Sequence, residues 1–126
     1  MALLTTTLLV TVLRIVDGDT FIVSAANCAS PVLCDNVSVR LADVDTPELS
    51  SHCQLASTKA QEAKQLLAAR LPVFTEINLT VYTHKDKYGR LLAVLPDIAA
   101  ELKSKGLAVP YKGQKKTFDW CKVQSV

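Results

Sequence analysis

Charge is missing from the first thirteen residues, Met1 to Leu13, which hold no Lys, Arg, Asp or Glu. A secretory leader needs a basic start, an apolar run and a small-residue cleavage site ahead of the mature fold. Here Leu8–Val16 runs straight into Asp17-Gly18-Asp19, leaving no room for a disposable leader, and the run is too short to cross a membrane. No Cys-x-x-Cys pair occurs, and neither of the two histidines completes a usual zinc spacing, which argues against a zinc site. Internal repeats, low-complexity tracts and linkers are also lacking. The net charge is only +2, so no global excess marks a nucleic-acid binder.

What is present describes one soluble globular domain. The chain has 126 residues, 49% hydrophobic and 21% charged, enough to bury one core and too apolar for disorder. We place the domain over 1–126, with its core at about 8–111 and a short cysteine-bearing tail at 112–126. Charge is divided along the chain. Residues 1–83 hold five basic and eight acidic side chains, a balance of −3; residues 84–126 hold nine and four, a balance of +5. That division suits a cation site facing a phosphate-binding surface, and equally suits scattered surface charge. The four cysteines permit a disulfide framework. Cys28 with Cys34 would staple a Pro-containing loop, and Cys53 with Cys121 would tie the first helix region to the tail. Four reduced thiols are the competing reading. Bridges would favour a secreted or periplasmic protein.

Periodicity supplies the elements. Leu8–Val16 reads as a buried strand and Thr20–Ser24 as its hairpin partner across Asp17-Gly18-Asp19. Residues 25–36 read as an excursion. Val37, Val39 and Leu41 alternate with Ser38 and Arg40, putting Arg40 on the polar face, and Pro47 ends the ladder. Ala56, Ala60, Ala63 and Leu67 recur at helical spacing, with Thr58 and Gln61 resembling a capping box and Pro72 just past the end. Ile77, Leu79 and Val81 mark another half-buried strand, and Leu91–Leu95 a short one. Asp97 is placed to cap a helix over 98–105, with Gly106 at its C-terminus. Short strands with segregated helices predict an α+β barrel rather than a parallel sheet.

Two acidic turns carry candidate chemistry: Asp17-Gly18-Asp19-Thr20, and Asp43-Val44-Asp45-Thr46-Pro47-Glu48. Carboxylates at turns are usually just solvated. Two such turns at adjacent strand ends supply the hard oxygen ligands that calcium prefers. A third turn, Asp86-Lys87-Tyr88-Gly89-Arg90, projects donors around a glycine suited to positive φ. Arg40 and Arg90 are candidates for phosphate, or plain surface ion-pair partners. Strict alternation sends Arg40 and Asp45 to opposite faces, so they meet only if the chain bends near Val44. His52 and His84 show no evident partners.

In this order and with these separations, Asp-Gly-Asp-Thr at 17–20, Arg40 with Val44-Asp45-Thr46-Pro47-Glu48, and Asp86-Lys87-Tyr88-Gly89-Arg90 resemble the three signature blocks of the staphylococcal nuclease family. The resemblance runs from about residue 8 to about residue 111, and the cysteine-bearing tail looks like that of a bacterial branch. It implies a five-stranded OB-fold β-barrel with two or three packed helices. It also implies a Ca2+ site of Asp19, Asp45 and the Thr46 carbonyl, with Glu48 as general base. Arg40 and Arg90 would bind phosphate and stabilise the transition state, and Lys87 and Tyr88 would contact substrate. Tyr111 lies near the family's aromatic position, and either Tyr111 or Trp120 is placed to stack on a base unless Trp120 packs in the core.

The implied function is a sugar-nonspecific endonuclease of the thermonuclease type. It would act on single-stranded DNA or RNA, leave 3′-phosphates, and work as a monomer with no membrane or obligate protein partner. The chemistry is self-consistent: a cation and two fixed guanidinium groups answer the charge that builds on a pentacoordinate phosphorus. On this reading Arg40→Ala, Arg90→Ala and Glu48→Gln each lose activity with little loss of fold. The alternative is a non-catalytic OB-fold module that binds nucleic acid or protein, which has no reason to keep the full acid and arginine set.

Overall fold

The computed structural model describes residues 4–25, 35–112 and 118–122. The proposed Cys28–Cys34 staple and most of the excursion lie outside them. In chain order the elements are β1 (Thr5–Asp17), β2 (Thr20–Ala25), β3 (Val37–Leu41), β4 (Val44–Asp45), α1 (Gln54–Arg70), β5 (Glu76–Tyr82), β6 (Leu91–Ala93), α2 (Pro96–Ser104) and β7 (Val109–Pro110), followed by a 3-10 turn at Trp120–Lys122. Strands β1, β2, β3, β6 and β5 close into a barrel in that order, with β3 and β6 parallel and the other neighbours antiparallel. This is the α+β OB-fold barrel that the periodicity and the resemblance predict.

Closure requires β1 to serve two partners. Its first half pairs with β5 and its second with β2. Register shifts between Val12 and Arg14 and between Ile15 and Asp17 bend it round the barrel. A barrel strand shows alternate side chains to the outside, so the uninterrupted apolar run is not uniformly buried. Val10 and Val12 are buried, whereas Leu9 and Val16 are exposed.

The barrel interior is filled by Val10, Val12, Phe21, Val23, Val39, Leu79 and Val81, capped by Leu67 and Leu71 from the end of α1. A second apolar cluster, with Leu41, Val44, Ala63, Leu102 and Leu107, joins α1 and α2 to the strand ends. The predicted Ala56–Ala60–Ala63–Leu67 stripe is the buried face of α1. Its start differs from prediction: the N-cap is Cys53, without a side-chain cap, and Thr58 instead accepts a hydrogen bond from Gln54 Nε2. Of the two readings of the cysteines left open, a bridge holds for Cys53 and Cys121, and it sits at that N-cap. Helix α2 likewise begins two residues early, at Pro96, with Asp97 inside its first turn rather than capping it. Gly106, at φ +69°, closes it with Gly106 N–H to the Lys103 carbonyl and Leu107 N–H to the Leu102 carbonyl. Among the described residues, no helix is long and apolar enough to cross a membrane.

Candidate active site

The two acidic turns meet at one end of the barrel. The β1–β2 turn is pinned there because Gly18 lies against α1 and Thr46: a Cβ on Gly18 would sit 2.5 Å from Ala63 Cβ and 3.0 Å from Thr46 Oγ1. The glycine is therefore required by space, beyond its use as a turn former. Across the hairpin, Thr20 pairs with Arg40 on β3.

Arg40 is not on a solvated face. It is only 4% exposed, and its guanidinium is the centre of the group. Nη1 donates to the Leu41 and Val44 carbonyls at 2.9 Å each, and Nη2 lies 3.3 Å from both Asp19 Oδ2 and Asp45 Oδ1. Arg40 and Asp45 converge because the chain turns at Ala42-Asp43, where Asp43 adopts φ +72°. The bend falls just before Val44, where the alternation requires one. Beyond it, β4 is held by β7, and Asp43 accepts a hydrogen bond from Tyr111 N–H. That contact brings the Tyr111 ring to 5.0 Å from the Arg40 guanidinium.

The electrostatics are unbalanced towards the acids. Asp19 and Asp45 are buried at 6% and 5% exposure, and Asp17 is partly buried beside Asp19. Burial opposes the Asp19 charge. The nearby Arg40, with hydrogen bonds from Asp17, Thr46 N–H and the Thr20 hydroxyl, still holds its pKa below the ordinary value. Asp17 bears the cost: burial, then the Asp19 charge, push it up to about 7. Asp17 and Thr20 lie within the quoted motif, yet sequence reasoning gave neither a task. Alternation and motif position alone do not show that they are packed against Asp19.

One further atom is out of balance. Thr46 Oγ1 is buried without a hydrogen-bond partner. Buried carboxylates in excess of cation, next to an unsatisfied hydroxyl and backbone oxygens, suit a hard divalent cation. Among the described residues no three Asp, Glu, His or Cys side chains converge at metal-binding spacing. Asp19 and Asp45, with Thr46 oxygens and water, are the candidate ligands for such an ion.

Glu48 is exposed and faces a cleft of about 380 Å3. Asp45, Thr46 and His52 share its wall, and Phe118 and Trp120 stand among the residues lining it. His52 is not isolated: its Nε2 lies 3.7 Å from Cys121 Sγ. His84 stacks on Tyr82.

The third block forms a separate, self-contained turn. Asp86 accepts hydrogen bonds from Tyr88 N–H, Arg90 N–H and Arg90 Nε, at 2.9, 2.8 and 2.7 Å. Gly89 supplies φ +81°, and the Lys87 ammonium and Arg90 guanidinium flank the exposed Tyr88 ring at 5.4 and 5.3 Å. Arg90 pairs with Asp86 rather than with the Asp19–Arg40–Asp45 group. Its backbone leads into β6 two residues before Leu92, the partner of Arg40.

Comparison with known proteins agrees with this geometry. A family profile described as "Staphylococcal nuclease homologue" matches residues 38–122, from β3 to the 3-10 turn. The chain is also similar to a protein of Schizosaccharomyces japonicus (strain yFS275 / FY16936) named "Probable endonuclease lcl3". They are 31% identical over 96 residues, which covers 67% of this chain and 40% of that relative. This chain thus accounts for well under half the length of the relative. The profile takes in Arg40, Asp45, Glu48 and Arg90 on a barrel of the matching class, and the chain belongs to the staphylococcal nuclease family.

Proposed function

We propose that this chain is a calcium-dependent phosphodiesterase of the thermonuclease kind, cutting single-stranded DNA and RNA without sugar preference and leaving 3′-phosphate ends. The observation that carries this reading is the buried Asp19–Arg40–Asp45 group with the exposed Glu48 beside it. Nuclease family membership and the naming of the fungal relative support the same class of reaction.

Asp19 and Asp45, with the Thr46 carbonyl, would hold the calcium ion, which when bound neutralises phosphate charge as a Lewis acid. Glu48 is placed at the solvent side, where its carboxylate takes a proton from the attacking water. Arg40 has four of its five N–H donors committed to protein acceptors, so a phosphate reaches it first through Nε. The Arg90 guanidinium is anchored through Nε alone, and its terminal nitrogens are directed to the leaving oxygen in this scheme. Lys87 and Tyr88, on the same exposed turn, contact the flanking strand, and Tyr111 lies against Arg40 to pack on sugar or base. The Cys53–Cys121 bridge supports an oxidising compartment, secreted or periplasmic, and we take the working unit to be a monomer.

The test is digestion of single-stranded DNA and of RNA with calcium, with magnesium and with chelator, alongside Glu48→Gln. The wild type should cut both with calcium and neither with chelator. Glu48→Gln should lose on the order of 10²–10⁴ in kcat with a far smaller change in thermal stability than Arg40→Ala, because the side chain is exposed. Absence of cleavage under every condition would leave the non-catalytic binding module as the better reading.

A further inference from the structure

Resting on the nuclease reading, we propose that the cleft between Glu48 and the C-terminal 3-10 turn is a nucleobase subsite, with Trp120 and Phe118 as its stacking surface and the Cys53–Cys121 disulfide as its support. Three observations lead there. The first is placement: the same cleft of about 380 Å3 is lined by Asp45, Thr46 and Glu48 and by Phe118 and Trp120. A nucleotide with its phosphate at Arg40 has this cleft next to it. The volume falls at the small end of ligand pockets, suited to one flat ring system rather than a folded peptide.

The second observation is charge. Among the described residues, the cleft lining carries the carboxylates of Asp45, Glu48 and Asp119 and no Lys or Arg. Carboxylate oxygens on such a wall can accept hydrogen bonds from the amino groups of a base. The third is the aromatic pair itself. Phe118 and Trp120 meet edge to face, 4.6 Å between centroids at 78°, and Phe118 is 41% exposed. Trp120 Nε1 is buried without a hydrogen-bond partner, so this indole is not fixed in place by a polar contact of its own. Its position comes instead from Cys121, tied to Cys53 at the start of α1. Asp119 helps by accepting the Cys121 N–H. Base–aromatic stacking tolerates every base, in keeping with a nonspecific enzyme.

Trp120 is the only tryptophan in the chain, so binding is readable without turnover. In chelator, a short single-stranded oligonucleotide should change Trp120 emission saturably, and its fully abasic counterpart should not. With calcium, Trp120→Ala should raise KM for DNA by about 5- to 100-fold at nearly constant kcat, Phe118→Ala should raise it less, and Trp120→Phe should restore most of the loss. Equal emission changes with the abasic strand, or an unchanged KM in Trp120→Ala, would overturn the subsite while leaving the nuclease reading intact. Should the wild type fail to cut with any metal, the nuclease reading falls and the emission titration alone decides the subsite.

Discussion

Two arginines that look alike in the sequence occupy opposite situations in the fold. Arg40 is buried, spans two carboxylates and two carbonyls, and joins three segments: the β1–β2 turn, β3 and β4. Arg90 is partly exposed, and its ion pair is with Asp86 four residues earlier in the same turn. The contrast separates two ways of fixing a guanidinium. One is built from distant parts of the chain and is inseparable from the fold. The other is a local device that folds or frays with its own turn. A catalytic role proposed for both therefore does not imply a shared cost of removal, and the expectation that Arg40→Ala spares the fold is corrected by the burial of its carboxylate partners.

The largest effect follows from that correction. Arg40→Ala leaves two buried carboxylates without their guanidinium, a loss of about 3–5 kcal/mol in stability. Calcium should recover part of it, so the variant should gain more in urea midpoint on adding calcium than the wild type does. Arg90→Ala should lose activity with far less change in midpoint. Equal midpoints for the two variants in chelator would break the comparison. Next in size is the Cys53–Cys121 bridge, which closes a separation of 68 residues. Its removal as the double Ser variant should cost about 2–5 kcal/mol. That loss should loosen the Glu48 side, seen as a shift of Trp120 emission, while the Asp86–Arg90 turn keeps its activity-independent NMR signals.

How far this contrast is legible in the sequence depends on the range of the interactions. The barrel strands are legible because Val37, Val39, Leu41 and Ile77, Leu79, Val81 each report one buried face over adjacent residues. The Asp86–Arg90 turn is legible because the hydrogen bonds that shape it run from Asp86 to residues two and four positions on. The burial of Arg40 is not: alternation places it opposite Val39 and Leu41, and the turn at Asp43 and the packing of the β1–β2 turn against it exclude water. The helix starts were misplaced for a related reason. Cys53 and Leu95 are poor caps by composition, and their positions are set by a disulfide and by Pro96, which override the local Thr58 and Asp97 signals. The resemblance named the candidate site residues, but the packing of Gly18, Ala63 and Thr46 beneath them is a matter of three-dimensional space.

Two glycines sharpen the comparison at smaller scale. On the Arg40 side, Gly18→Ala forces a methyl to within 2.5 Å of Ala63 Cβ, a cost of about 1–3 kcal/mol from overpacking. Pairing it with Ala63→Gly should return part of that loss, although the second change alone costs about 1 kcal/mol in helix propensity. On the Arg90 side, a Cβ on Gly89 meets nothing within 4 Å, so Gly89→Ala pays only for φ +81°, about 1–2 kcal/mol. No rescue by a neighbouring truncation should exist there. Urea denaturation of the double and single variants reads both, and additivity of Gly18→Ala with Ala63→Gly would deny the contact.

The smallest effect is a dependence on pH confined to the Arg90 turn. Burial acts to raise the Asp86 pKa, but hydrogen bonds from the Arg90 N–H and side chain and the Tyr88 N–H, with the Arg90 charge, hold it below the ordinary carboxylate value. A depressed folded pKa means that the ionised form is the one the turn favours. The stabilisation is therefore fully present above the unfolded value of about 3.9 and is lost as pH falls through the lower folded value. Carboxyl chemical shifts should place the Asp86 midpoint below those of exposed aspartates, and the Tyr88 and Arg90 amides should lose protection over the same acidic window. Asp86→Asn should remove that step while leaving the Asp19–Arg40 group in place. A Tyr88 amide that is indifferent to Asp86 protonation would mean that Gly89 and the backbone shape the turn without the carboxylate, and the local half of the comparison would have to be redrawn around the glycine.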